Sequence, residues 1–134
     1  RHDGRHGRAI RGVLRRYMPQ VEIREMDERR KQTLCCGAAG AVAGYDPDIT
    51  KRRVMRVVDE AHSTGANTLV TMCPTCTYTI AQENLSAAPE RVIDSHNYLE
   101  LFFGQTIDWA VVFDQLGSMW TGEYGPWLNA TFFS

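Results

Sequence analysis

The four cysteines of this chain stand in two tight pairs, Cys35-Cys36 and Cys73-x-x-Cys76, with 36 residues between the pairs. This spacing constrains the fold more than any other feature, because the pairs act together only if distant segments meet. A disulfide framework is the usual role of such cysteines in a small secreted domain that lacks a core. At 134 residues, 43 % hydrophobic and 23 % charged, this chain has material for a single core of its own. Its opening residues do not read as a secretory signal, and the adjacent Cys35 and Cys36 do not join one compact framework without strain. In a reducing cytoplasm the pattern reads as ligation of a metal or a cluster. Arg1, in place of Met, reads as a processed chain or a piece of something longer.

The same composition excludes a disordered, collagen-like or low-complexity chain. Unbroken apolar runs are short, as in Trp109 to Phe113, against the roughly 20 residues a membrane span needs. Charge is uneven. Residues 1–31 hold ten basic residues against five acids, and residues 54–134 hold two basic residues, Arg56 and Arg91, against nine acids. Such polarity either orients a partner or marks a solvated arginine-rich helix face. Nucleic acid is not an expected partner, because the basic residues lack interleaved aromatics or a binding motif.

Along the chain, helix and strand signals alternate. Ile10, Val13, Leu14 and Tyr17 recur at helical spacing and predict an amphipathic helix over 5–17, stopped by Pro19. Val21, Ile23 and Met26 predict a short half-buried strand. After a glycine-rich stretch, Asp46-Pro47 opens a helix whose buried stripe is Val54, Val57, Val58 and Ala61, ended by Gly65. Thr68 to Met72 is an apolar, β-branched run of the kind found in central parallel strands, and it delivers Cys73 to its C-terminal end. Pro74 opens a helix to about Leu85, Val92 and Ile93 predict a third strand, and a helix follows from His96 to Phe103. Trp109, Val112, Phe113 and Leu116 form a last stripe, after which Gly117, Gly122 and Gly125 break up an aromatic tail. This order predicts an α/β fold: a Rossmann-like layer with a small, mostly parallel sheet and flanking helices, in one domain over 1–134. No repeat is evident.

Both cysteine pairs follow predicted strands, and in open α/β sheets loops converge at the carboxyl ends of the strands. Cys73 and Cys76 straddle a helix start, where exposed N–H groups favour thiolates or an anionic cluster. Gly37 lets the backbone turn closely beside Cys35 and Cys36. Adjacent thiolates suit a multi-iron cluster better than one tetrahedral zinc ion, which more often takes two Cys-x-x-Cys knuckles. Zinc on the same four thiols, buried thiols without a ligand, and a thioredoxin-like use of Cys73 and Cys76 remain open alternatives.

The segments Leu34-Cys35-Cys36-Gly37-Ala38-Ala39-Gly40 and Cys73-Pro74-Thr75-Cys76 resemble the cysteine-rich CCG domain of heterodisulfide reductase subunits. Related domains occur in iron–sulfur subunits of glycolate, lactate and glycerol-3-phosphate oxidation systems. The likeness extends to the helix from Asp46, the strand at Thr68 to Met72, and Asp94-Ser95-His96 with Leu99 and Glu100. It implies an iron–sulfur cluster, 4Fe–4S or non-cubane, held by Cys35, Cys36, Cys73 and Cys76, with Gly37 and His96 beside it. It implies electron transfer within a larger, cytoplasmic oxidoreductase, reaching a membrane only through a partner. Redox subunits with a flavin or ferredoxin-type donor and a small thiol or disulfide substrate are the implied partners. No nucleotide-binding glycine motif is present, so a flavin or NAD belongs on a partner. In one respect the chain departs from the family pattern: Arg1-His2-Asp3-Gly4-Arg5-His6 is similar to a family segment in which a cysteine stands where Arg1 is. Either that cysteine is replaced or it lies just upstream of Arg1; if it is truly absent, a non-cubane cluster that needs five sulfurs is in doubt, while a four-thiolate cluster or a zinc site still fits.

The other polar residues have plainer readings. His96 either serves the cluster or caps and packs a helix, His2 and His6 read as surface residues, and Asp46, Asp48 and Glu60 read as a helix cap and a solvated face. The aromatic tail reads as core or as a subunit interface, and as a docking surface if exposed.

Overall fold

The computed structural model describes residues 4–28, 33–39 and 42–132. The chain divides into two units, Arg1–Gly104 and Gln105–Ser134.

In the first unit, helix α1 (Arg5–Tyr17) forms where the periodicity predicts it, with Arg15 and Arg16 in its last turn complementing the negative helix end. Its buried stripe is narrower than expected, for only Gly7 and Leu14 are buried and Tyr17 is 70 % exposed. A single turn, α2 (Val42–Tyr45), precedes the long helix α3 (Pro47–Ser63). The Asp46 carboxylate accepts a hydrogen bond from the Ile49 N–H at 3.0 Å, which satisfies one of the donors every helix start leaves open. Val54, Val57, Val58 and Ala61 are buried, as their spacing predicts.

Strand β1 (Thr68–Thr71), helix α4 (Pro74–Asn84), a 3₁₀ turn (Pro89–Arg91), strand β2 (Asp94–Asn97) and helix α5 (Tyr98–Phe103) follow. The strands pair in parallel, Thr68 opposite Asp94 and Thr71 opposite Asn97, so β1-α4-β2 is a βαβ unit and the fold is mixed α/β. Among the described residues the sheet has these two strands. β1 is therefore an edge and not the central strand its composition suggests; Val70 is 37 % exposed.

Two strand expectations are corrected. Residues 22–26 join no ladder, and side chains hold them instead: Arg11 clamps Glu25, one bond measuring 2.8 Å, Arg24 donates to the Thr64 carbonyl at 2.8 Å, and the Glu28 N–H donates to Glu60 at 2.7 Å. The alternating pattern marks a strap tied to α1 and α3. Val92 and Ile93 lie just ahead of β2. The Asn84 amide takes the place of a strand partner there, donating to the Ile93 carbonyl at 2.9 Å and accepting from its N–H at 3.4 Å. The strand runs instead through Asp94 to Asn97, polar residues whose weak strand preference is overridden by pairing with β1. Helix α5 thus begins at Tyr98 and not at His96, with Asn97 and Glu100 forming a reciprocal capping box.

Ile80, Ile93 and Val54 are the largest fully buried apolar side chains, each contributing about 1.5–3 kcal/mol by leaving water. They pack in one cluster with Val58, Ala61 and Cys36, and Cys76, Leu69, Ala38 and Met26 lie against it.

In the second unit, α6 (Trp109–Thr121) is capped by Asp108, which accepts from the Val111 N–H at 3.2 Å. Gly117 lies within α6 and does not break it, and the aromatic tail is helical, α7 (Gly125–Phe132). A Cβ on Gly125 would stand 2.1 Å from the Trp120 carbonyl oxygen, so the tight turn between the helices requires glycine there. No residue of α6 is buried, and Trp120, Tyr124 and Trp127 are exposed. Among the described residues no helix is long and apolar enough to cross a membrane.

Candidate metal centre

β1 ends at Thr71, and two residues later Cys73 occupies the N-cap position of α4 in an extended conformation. Its carbonyl oxygen accepts from the N–H groups of Cys76 and Thr77 at 3.0 and 3.2 Å. The hydroxyls of Thr71 and Thr77, both buried, meet at 2.5 Å and both face that carbonyl. These contacts fix the strand end to the helix start and set Cys76 one turn into α4.

The other pair comes from the loop before α2. Thr50 of α3 donates to the Gly37 carbonyl at 3.4 Å. Gly37 sits at φ 80°, and a Cβ there would lie 2.6 Å from Cδ of Arg53, so both backbone conformation and space demand glycine. The loop is thereby pressed against α3, with Cys36 driven into the core, 2 % exposed, and Cys35 left exposed.

The two pairs meet. The Cys76 Sγ–H donates to Cys36 Sγ at 3.2 Å, far beyond the roughly 2.0 Å of a disulfide. This bond, outweighing burial and aided by the Ala38 N–H and the Thr79 hydroxyl, lowers the Cys36 thiol to about 6. Cys76 is pushed up, first because its proton is held in that bond and then by burial. The shared hydrogen bond therefore favours the thiolate on Cys36 and the thiol on Cys76. At Cys73, burial acts to raise the thiol, but the N–H groups of Cys76 and Thr75 at the helix start prevail and lower it. These N–H groups act on Cys73 without a cap hydrogen bond of normal length.

Metal–thiolate bonds of about 2.3 Å in tetrahedral array place neighbouring sulfurs about 3.8 Å apart. Cys36 and Cys76 thus need to open by only about half an ångström to share one metal atom, so their chemistry and spacing fit. Among the described residues, no group of three or more His, Cys, Asp or Glu is placed to hold an ion. Closing a four-thiolate set requires the exposed Cys35 and Cys73 to turn inward.

His96 is engaged elsewhere. Its Nδ1 meets Glu100 at 3.2 Å and its Nε2 meets Asp94 at 2.9 Å. Burial acts to lower its pKa, yet the two carboxylates prevail and raise it. His6 is exposed on α1, and Arg1 and His2 lie outside the described residues. Thr50, Arg53, Thr77 and Thr79 are the site's contributors that sequence reasoning missed. The threonines Thr75, Thr77 and Thr79 around Cys76, polar on a helix that packs on the core, are the available signal.

Residues 8–81 match the family described as CCG, cysteine-rich domain, a span that holds all four cysteines. Among curated proteins, one subunit of the dihydromethanophenazine:CoB–CoM heterodisulfide reductase of Methanosarcina barkeri is 37 % identical over 78 residues, 56 % of this chain and 19 % of that protein. Its counterpart in Methanosarcina acetivorans is 36 % identical over 60 residues, 45 % of this chain and 15 % of that protein. The chain therefore spans less than a fifth of the length of these relatives. No solved structure matches it significantly.

Proposed function

Because this chain belongs to the CCG family of cysteine-rich domains, we propose that Cys35, Cys36, Cys73 and Cys76 hold an iron–sulfur cluster that carries electrons inside a larger oxidoreductase of the heterodisulfide reductase kind. The observation that carries this reading is the 3.2 Å contact between Cys36 and Cys76, which joins two segments by their sulfurs against the apolar cluster of Val54, Val58, Ala61, Ile80 and Ile93. When bound, such a cluster supplies a one-electron store. The chain's own residues prepare for it. The α4 start favours thiolate at Cys73, the Cys76 thiol favours thiolate at Cys36, and Gly37 keeps the loop close to α3. In this reading residues 1–134 form one domain of a larger cytoplasmic subunit. Partner redox subunits with a flavin or ferredoxin-type donor supply the electrons, and a small thiol or disulfide is the substrate. Gly37 and His96 stand beside the cluster in this reading, His96 held in place by Asp94 and Glu100.

A second reading, a zinc-stabilised interaction domain without catalysis, draws on the same distance. Sulfurs this close suit two ligands of a single metal atom, whereas thiolates on different irons of a cubane stand farther apart. Iron, acid-labile sulfide and zinc, quantified on anaerobically purified protein, separate the two. Stoichiometric iron and sulfide with a broad visible band that dithionite bleaches support the cluster; a colourless protein with one zinc removes the electron-transfer proposal.

A further inference from the structure

The Cys36 and Cys76 sulfurs meet at 3.2 Å at the edge of the core, with a route to solvent on the Cys76 side only. Cys36 is 2 % exposed, while Cys76 is partly exposed and Cys35 and Cys73 are exposed. Closing a disulfide from 3.2 Å needs about 1.2 Å of approach. The two sulfurs come from different elements, the loop before α2 and the first turn of α4, so side-chain rotation and a small loop shift supply it. Joining Cys35 to Cys36 would strain adjacent residues, and Cys36 with Cys76 is the pair whose sulfurs the structure brings into hydrogen-bond contact.

We propose that a low-molecular-weight disulfide oxidises Cys36 and Cys76 of the metal-free chain to an internal disulfide, which shuts the domain against metal until a thiol reductant reopens it. In the first step the proton in the shared hydrogen bond passes from Cys76 to Cys36, and the partly exposed Cys76 sulfur attacks one sulfur of the small disulfide, forming a mixed disulfide and releasing a small thiolate that takes up the proton from Cys36. The Cys36 thiolate then attacks the Cys76 sulfur, forming the internal bond and expelling the second small thiol. Two electrons and two protons pass from the protein thiols to the small disulfide. Cys36 then lies in the core where a second oxidant does not reach it, so oxidation of this pair stops at the disulfide. The shutting of the domain rests on the proposed ligand set; the disulfide itself does not.

The test uses the full chain as a Cys35→Ser/Cys73→Ser variant, in which only Cys36 and Cys76 remain and the changed positions are exposed. Reduced, metal-free variant is incubated with oxidised glutathione and a chelator, then examined by intact mass and iodoacetamide labelling, with circular dichroism as the check on folding. Loss of two hydrogens, no retained glutathione and no label is the expected result. Persistence of both thiols, or a stable glutathione adduct, overturns the proposal. In the wild-type chain, tryptic peptides 32–51 and 57–91 should become linked; a bond confined to 57–91 identifies Cys73 with Cys76 and equally overturns it. Iron and zinc uptake by reduced and oxidised wild-type chain is measured in parallel. Uptake by the reduced chain only, restored to the oxidised chain by dithiothreitol, supports the shutting step. Uptake by neither, with the link formed, defeats the proposed function and the shutting step but leaves the disulfide standing; equal uptake by both defeats the shutting step alone.

Discussion

The sulfurs of Cys36 and Cys76 stand 3.2 Å apart although 40 residues separate them in the chain. Their meeting is a product of the core, since Cys36 packs with Val54 and Val58 of α3 and Ile80 of α4, and Cys76 rests against the same cluster. The site therefore inherits its geometry from apolar packing between α3 and α4.

Ile80→Ala should accordingly loosen the site as well as the fold. Ile80 is 1 % exposed, and removing such a side chain leaves a cavity at a cost of about 2–5 kcal/mol. Urea denaturation should show that loss, and iodoacetamide should label Cys36 faster than in the parent. A variant of unchanged midpoint would mean that the core is not packed as described.

Gly37→Ala should be costly where Gly44→Ala is not. At Gly37 the positive φ penalises any Cβ by about 1–2 kcal/mol, and the side chain of Arg53 must also move. At Gly44 a Cβ meets nothing within 4 Å, and alanine suits the helix better. Thermal melting of the two variants compares them directly; equal melting temperatures would contradict the account of the Cys35–Gly37 loop.

How far this site was legible in the sequence depended on what each residue answers to. Asp46, Pro47, Val54, Val57, Val58 and Ala61 answer to their own helix, and the structure places all of them as their spacing predicts. Arg24 and Glu25, within Val21 to Met26, answer to partners elsewhere, Thr64 and Arg11, so the alternation resembles a strand that does not form. The cysteine spacing pointed to a shared place but did not show that Cys36 is buried and Cys35 is not. That difference comes from the pressure of Thr50 and Arg53 on Gly37, a contact between α3 and a loop that no periodicity records.

His96 should make stability depend on pH. Its folded pKa is raised above the ordinary 6.5 by Glu100 and Asp94. The stability from these pairs is therefore fully present below 6.5 and lost as pH rises through the higher folded value. His96→Gln should be destabilised most below pH 6.5, and its deficit should shrink in more alkaline solution. Asp94 is largely exposed, so most of the effect comes through the buried Glu100. Urea midpoints measured at pH 6 and pH 9 decide the matter; a deficit that is the same at both would show that His96 acts by packing alone.

The central claim is that the four cysteines hold an iron–sulfur cluster, and its most direct measurement is anaerobic reconstitution of the reduced chain beside its Cys36→Ser and Cys76→Ser variants. Iron, sulfide and the visible spectrum are read on each, with circular dichroism confirming the fold. The account predicts stoichiometric iron and sulfide and a dithionite-bleachable band in the parent, both lost or strongly reduced in each folded variant. A parent that takes up no iron, or folded variants that load as fully as the parent, would contradict it.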